Sequence, residues 1–171
     1  PQCIVRFVVD ELARLTEEPI AIIGSSFGAY LGLHALSRLP EARRANVVFV
    51  ALLAPLFDPW DRASSVLSPE VEQRWQRDGS FPLLDLESGK EERVHYRFVE
   101  ELRELSVPVI PASLPVLIVH GREDETVNCA QSERFAEGRA NVRLKLIDDD
   151  HRLLADPPLV LGLIEDFMRE P

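Results

Sequence analysis

Cysteine is scarce in this sequence: Cys3 and Cys129 stand far apart in 171 residues and form no CxxC pair. That excludes a disulfide framework and a cysteine-based zinc site, and it reads as two ordinary thiols in a reducing compartment, with the cytoplasm as the expected location. Long apolar runs are missing too, since none approaches the about 18 residues needed to span a bilayer. Positive charge is outweighed, with 19 Lys and Arg against 29 Asp and Glu, for a net charge of -10. The acidic residues are scattered along the chain, so phosphate would be repelled and no nucleic-acid partner is expected. The sequence contains no internal repeat and no low-complexity stretch. The sequence opens on Pro1 rather than Met and runs straight into helix-like residues, so residues are expected to precede it.

What is present is the material of one ordinary domain. Apolar residues make up 46% and charged residues 28%, close to the globular average, and the length suffices to bury about 70% of the unfolded surface. Ile4, Val5, Val8, Val9, Leu12 and Leu15 recur at helical spacing and predict a helix over 2–16, ending before Pro19. Ile20-Ala21-Ile22-Ile23 reads as a strand buried on both faces, followed by a helix from Phe27 to Leu39 that stops at Pro40. Further strands are expected at Val47 to Leu53, Val116 to Val119 and Val142 to Ile147. Asn128 with Gln131 predicts a capping box for a helix ending near Gly138, and Asp156-Pro157 opens a last helix through Met168. Helices alternate with buried strands, which predicts an α/β domain with a mostly parallel sheet.

The connection from Phe57 to Ser113 is too long for a plain loop. Ser68-Pro69-Glu70 predicts a helix to about Arg77 before Gly79. Ser88 with Glu91 predicts a second, with Val94, Phe98, Leu102 and Leu105 on one face. The segment reads as a short helical cap inserted in the single domain.

Ligands in open α/β sheets sit beyond the carboxyl ends of the strands, and three reactive residues fall there: Ser26 after the first strand, Asp124 after the third and His151 after the fourth. Ser26 is the centre of Gly24-Ser25-Ser26-Phe27-Gly28, a G-x-S-x-G turn in which a strained backbone lifts the hydroxyl clear of the sheet. Gly24 and Gly28 are expected because side chains two residues either side would collide across so tight a turn. The Phe27 amide, at a helix N-terminus, is placed to hold an oxyanion. A small-residue corner without chemistry is the plainer reading of the five letters alone.

A serine hydroxyl needs a base. His34 and His95 lie inside predicted helices and His120 ends a buried strand as a structural hydrogen-bonder, whereas His151 stands in the loop after the last strand. Asp124 is the expected orienting acid; Asp58, beyond the second strand, and Glu123 are rivals. Asp148-Asp149-Asp150 beside His151 carries a second meaning, a metal site, but consecutive residues point different ways and no second histidine is near. A solvated acidic loop that favours the charged imidazole is the expectation, with no metal.

These segments resemble the α/β-hydrolase superfamily, whose triad runs Ser, then Asp or Glu, then His. The match lies in Gly24 to Gly28 as nucleophile elbow, His120-Gly121 with Asp124 and Val127 as the H-G-x-x-D-x-x-V acid segment, and Asp150-His151 as the D-H loop. The sequence looks most like small serine hydrolases acting on esters and acyl thioesters. The stretch from Trp75 through Gly79 to Tyr96-Arg97-Phe98 is similar to the short cap of acyl-protein thioesterase-like members. The resemblance implies a small-molecule acyl ester or thioester substrate, no cofactor, and an acyl pocket for which Phe57, Trp60, Trp75 and Phe81 are the candidates. Serine peptidases share this triad, and a binding or scaffold protein that keeps the fold without turnover is the reading from a different class. The family's second oxyanion donor comes from a loop after an earlier strand, and nothing before Ser26 supplies one. The chain is therefore expected to be the carboxyl-terminal part of a longer protein or else a reduced relative.

Overall fold

The computed structural model describes residues 2–14, 19–61, 67–84, 89–104, 106 and 109–169. The chain divides into two compact units, one formed by residues 2–57 and 107–171 and the other by residues 58–106.

In the larger unit the elements run α1 (Gln2–Arg14), β1 (Ile20–Ser25), α2 (Phe27–Arg38), α3 (Glu41–Arg44), β2 (Val47–Leu53). In the smaller unit they are α4 (Pro69–Asp78), β3 (Ser80–Leu84), β4 (Glu91–His95) and α5 (Arg97–Glu104). The larger unit then resumes with β5 (Val116–Gly121), α6 (Ala130–Ala136), β6 (Val142–Ile147) and α7 (Pro157–Arg169). Its sheet has the order β1-β2-β5-β6, and every pairing is parallel. The expected mostly parallel sheet is thus present, and among the described residues no helix is long and apolar enough to cross a membrane.

Strand alternation divides the apolar residues between two layers. Val50, Leu52, Val116 and Ile118 join Leu33 and Leu36 of α2 and Phe135 of α6 in one cluster. Phe49, Ala51, Leu117 and Val119, one residue out of phase, join Val160 and Ile164 of α7 in another. All six residues of β5 are buried, as expected of a strand covered on both faces. Each fully buried Val, Leu or Ile there stabilises the fold by about 1.5–3 kcal/mol, so β5 is the least mobile place from which to suspend a functional group.

Local signals set several boundaries. Asp156 Oδ1 accepts the Leu159 amide at the start of α7, as its N-cap chemistry predicts. The capping box expected from Asn128 and Gln131 does not form. Asn128 Oδ1 accepts the Ala130 amide, but buried Gln131 turns its Oε1 to the Phe57 amide 3.0 Å away, satisfying a buried donor between β2 and the smaller unit's start in sequence.

The smaller unit corrects the expectation of a purely helical cap. Its first helix is as predicted: Ser68 Oγ accepts the Val71 amide at 3.3 Å, and Gly79 closes α4 in the left-handed conformation at φ 71°. The segment expected to continue as a helix from Ser88 and Glu91 is instead strand β4, antiparallel to β3 with Val94 opposite Phe81. Ser88 and Leu105 lie outside the described residues. Glu91, Glu92, Arg93 and His95 are exposed, so the strand has a single half-buried apolar residue, Val94, and no apolar alternation for sequence reading to detect. The helix begins only at Arg97 and buries Val99 and Leu102. Trp75, Tyr96 and Val99 form the core of this unit, with Trp60, Phe81 and Val94 packed on it. Trp75 Nε1 donates to the Val94 carbonyl at 2.8 Å.

Because Gly79 has open space around it but a positive φ, Gly79→Ala should lower stability by about 1 kcal/mol through backbone strain alone. Thermal or urea unfolding of the chain measures this, and an unchanged midpoint would contradict the left-handed cap.

Candidate active site

The parallel register aligns the carboxyl ends of the strands, with Ser25 beside Leu53, Leu53 beside Val119 and Gly121 beside Ile147. The residues that follow those ends are therefore brought to one edge. Ser26 sits immediately after β1 with φ 51° and ψ -125°, a conformation unfavourable for a residue with a Cβ. Its amide donates to the Leu53 carbonyl at 2.9 Å, and its carbonyl accepts the Ala29 and Leu56 amides, so the strained turn is pinned on both sides. Phe27 is the first residue of α2, where the amide has no acceptor within its own helix.

The two elbow glycines differ. A Cβ at Gly24 would come within 2.7 Å of the Ala29 Cα and 2.9 Å of its nitrogen, so the crossing of β1 and α2 requires glycine. The same expectation fails at Gly28, where a Cβ would meet nothing among the described residues within 4 Å. The first turn of α2 faces away from the strand at that position, so collision does not account for this glycine.

His151 lies in the turn after β6. Its Nε2 is 2.9 Å from Ser26 Oγ and its Nδ1 is 2.7 Å from Asp124 Oδ2. A carboxylate only accepts, so Nδ1 carries the hydrogen and Nε2 is the lone pair offered to the serine hydroxyl. Burial falls along the row, with the Asp124 side chain 0% exposed and the His151 side chain 21% exposed. The structure thus brings together Ser26, His151 and Asp124 across 125 residues of chain. Of the rival acids, Glu123 is exposed, and Asp58 Oδ1 accepts the Asp61 amide in its own turn.

Asp124 is held from four sides. Oδ1 accepts the Thr126 and Val127 amides at 2.8 and 2.7 Å. Oδ2, besides His151, receives His120 Nε2 at 3.0 Å. His120 is fully buried, and its Nδ1 is 2.7 Å from Ser132 Oγ of α6. Alternation along β5 puts His120 on the same face as Val116 and Ile118, the face that α6 covers. Its reading as a structural hydrogen-bonder agrees with this placement. Ser132 carried no signal that a single sequence could expose.

The triple aspartate is a structural turn more than a solvated loop. Asp149 is buried, its Oδ1 accepting the Asp150 amide at 2.7 Å and its Oδ2 the Ala155 amide at 3.0 Å. Asp150 is bound by the Arg152 amide and guanidinium, which hold its carboxyl below the ordinary range. Among the described residues no cluster of three or more His, Cys, Asp or Glu is arranged to hold a metal ion. A Cβ at Gly121 would lie 2.2 Å from the Asp149 carbonyl oxygen and 2.6 Å from that of Asp150. Glycine after His120 is therefore what lets the His151 turn lie against the end of β5.

The remaining singled-out residues have other surroundings. His34 is buried in α2 with its ring edge-on to Tyr30 at 4.5 Å, and His95 Nδ1 accepts the Arg97 amide in the smaller unit. Phe57 is buried and stacks on Phe135 with centroids 4.0 Å apart. Trp60, Trp75 and Phe81 pack with one another's cluster in the smaller unit. Each of these rings has a packing partner within its own unit, the surroundings expected of core aromatics.

The glycine contacts set a test. Gly121→Ala should destabilise by about 1–3 kcal/mol, as overpacking against backbone does, whereas Gly28→Ala should be neutral or slightly stabilising through helix propensity. Denaturant midpoints of the two variants against the parent chain decide it, and equal midpoints would contradict the close approach at Gly121.

No family model matches the sequence. Among curated proteins, the human palmitoyl-protein thioesterase ABHD10, mitochondrial, is 28% identical over 170 residues, covering 94% of this chain and 53% of the relative. The bovine counterpart is 27% identical over 169 residues with the same shares. The chain thus spans about half the length of the curated relatives it matches. Among solved structures, mouse alpha/beta hydrolase domain-containing protein 10 superposes with a TM-score of 0.73 at 27% identity, covering 96% of this chain and 67% of that one. Est1E from Butyrivibrio proteoclasticus, at 23% identity and TM-score 0.69 over 96% of this chain and 64% of its own, shares the fold. With its parallel sheet, flanking helices and this superposition, the chain has the α/β-hydrolase fold over the part of those proteins that it spans.

Proposed function

We propose that this chain carries the catalytic centre of a serine hydrolase that cleaves carboxylic esters or acyl thioesters through an acyl-enzyme intermediate. The observation that carries the reading is the unbroken row Ser26 Oγ, His151 and Asp124 Oδ2, with contacts of 2.9 and 2.7 Å, starting from a serine whose backbone is strained. A buried carboxylate, an imidazole and a hydroxyl in that order form a base-activated nucleophile. A scaffold reading would have been favoured by a serine and histidine too far apart to meet.

Ser26 Oγ attacks the acyl carbon as its proton passes to His151 Nε2, and the carbonyl oxygen becomes an oxyanion. The Phe27 amide, without an acceptor in its helix, donates to that oxyanion. Collapse breaks the C–O or C–S bond, and the proton on His151 Nε2 leaves with the alcohol or thiol. Water then repeats the sequence, its proton taken by the same nitrogen, and releases the acid and free Ser26. Asp124 holds the Nδ1–H and stabilises the imidazolium without itself taking the proton. The chemistry needs no cofactor. The thioester half of the proposal draws on the palmitoyl-protein thioesterases that the chain resembles at 28% identity.

Fluorophosphonate labelling and hydrolysis of short p-nitrophenyl esters and acyl thioesters test the proposal. Ser26→Ala should abolish both labelling and turnover; labelling that persists would sink the assignment. Asp124→Asn should lower kcat by about 10⁴, the loss seen when a triad acid is replaced by its amide. Asp58→Asn should leave kcat nearly intact, and the reverse pattern would transfer the acid's role to Asp58.

A further inference from the structure

Asp124 Oδ2 is shared by two imidazoles, and only His151 leads to the serine. His120 has no path to a substrate of its own, because its ring is fully buried and its two nitrogens are taken up by protein atoms. Its Nε2 faces two acceptors, the Asp124 carboxylate and the Val127 carbonyl, each at 3.0 Å. A nitrogen between two acceptors must carry the hydrogen. Its Nδ1 faces the Ser132 hydroxyl at 2.7 Å, a group that can turn its hydrogen toward the ring. Donation in that direction would put the one ring N–H on Asp124.

We propose that His120, with its tautomer set by Ser132, is a positioning residue for the reaction of Ser26, fixing the Asp124 carboxylate so that Oδ2 meets His151 Nδ1. This rests on the reading of Ser26, His151 and Asp124 as a triad. Neutrality is the functional point. During acyl transfer His151 becomes a cation whose charge Asp124 must balance, and a second cation 3.0 Å from the same oxygen would compete for that balance. A neutral donor orients the carboxylate without spending its charge. The Thr126 and Val127 amides fix Oδ1 alone and leave the carboxylate plane free to tilt about that oxygen. His120 is the further contact that removes the tilt, and it comes from β5, the most deeply buried strand of the sheet.

His120→Leu, which keeps the volume and removes the donor, should lower kcat for p-nitrophenyl ester hydrolysis about 10- to 100-fold, the range expected for one hydrogen bond to a charged group, with KM changed less than about twofold. His120→Gln, whose amide can still donate to Asp124, should recover most of that loss. Ser132→Ala, which releases the tautomer, should cost about 3- to 10-fold and serves if His120→Leu does not fold. The deciding measurement is a double-mutant cycle. In the Asp124→Asn background, His120→Leu and Ser132→Ala should cost nothing further, because they act through a carboxylate no longer there. Costs that simply multiply, or a His120→Gln variant as slow as His120→Leu, would overturn the proposal while leaving the triad standing. Turnover that survives Ser26→Ala would overturn both.

Discussion

The structure of this site depends on one buried carboxylate. Asp124 has no exposed side-chain surface, and a carboxylate taken out of water costs several kcal/mol unless hydrogen bonds replace its hydration. Four donors replace it. Two are the Thr126 and Val127 amides, so the turn after β5 folds around the side chain of its own first residues. The other two are imidazoles, one from the end of β5 and one from the turn after β6. The same hydrogen bonds that make the burial tolerable join the two neighbouring strand ends and aim His151 at Ser26. Removing any one donor would therefore disturb both the local fold and the geometry of the serine.

Backbone strain collects just past the carboxyl ends of the strands. Among the described residues, the non-glycine positions with positive φ are Ser26, Ala54 and Leu153, which follow β1, β2 and the His151 turn. Each such position costs on the order of 1–3 kcal/mol and persists only where its surroundings over-determine it. Here the surroundings are the buried strands and the His151 turn: the Ser26 amide is tied to Leu53, the Ala54 amide to Val119 and the Leu153 amide to Asp150. Strain at the strand ends is thus offset by apolar burial in the sheet below, and the site inherits the rigidity of β2 and β5.

Much of this was legible in the sequence, for a definable reason. Parallel strands read as short apolar runs in β1, β2 and β5 and as alternation in β6, so all four could be located, and the residues just past them followed by counting. Ser26, Asp124 and His151 are legible because each follows one of these strands by four residues or fewer. Strand β1 nevertheless exposes Ala21 and Ile23 instead of being buried on both faces as expected. What escaped notice lacked an apolar signature. Strand β4 was mistaken for a helix since Glu91, Glu92, Arg93 and His95 mask its pairing with β3. Gln131 reads as a cap because its use, binding the Phe57 amide, joins residues 74 apart. Asp149 was grouped with a solvated acidic loop, although it is the buried residue on which the His151 turn is built. Gly28 shows the opposite error, a glycine explained by crowding where there is none. For β4, Gln131 and Asp149 the deciding contact is long-range or made by backbone, and neither leaves a periodic trace.

The gradient of exposure along the polar row has a chemical consequence. His120 and Asp124 are fully enclosed, His151 is 21% exposed, and Ser26 is half-buried at the edge of the sheet. Electrostatic interactions strengthen as water is excluded, so the inner contacts, which only orient, lie where orientation is firmest. The outer contact, through which the proposed reaction moves a proton, lies between the two partly exposed residues of the row. An inverted row, with an exposed acid and a buried serine, would have the same residues and distances yet offer neither a fixed tautomer nor a route for the substrate. The direction of burial, as much as the 2.7 and 2.9 Å contacts, supports the proposed acyl transfer.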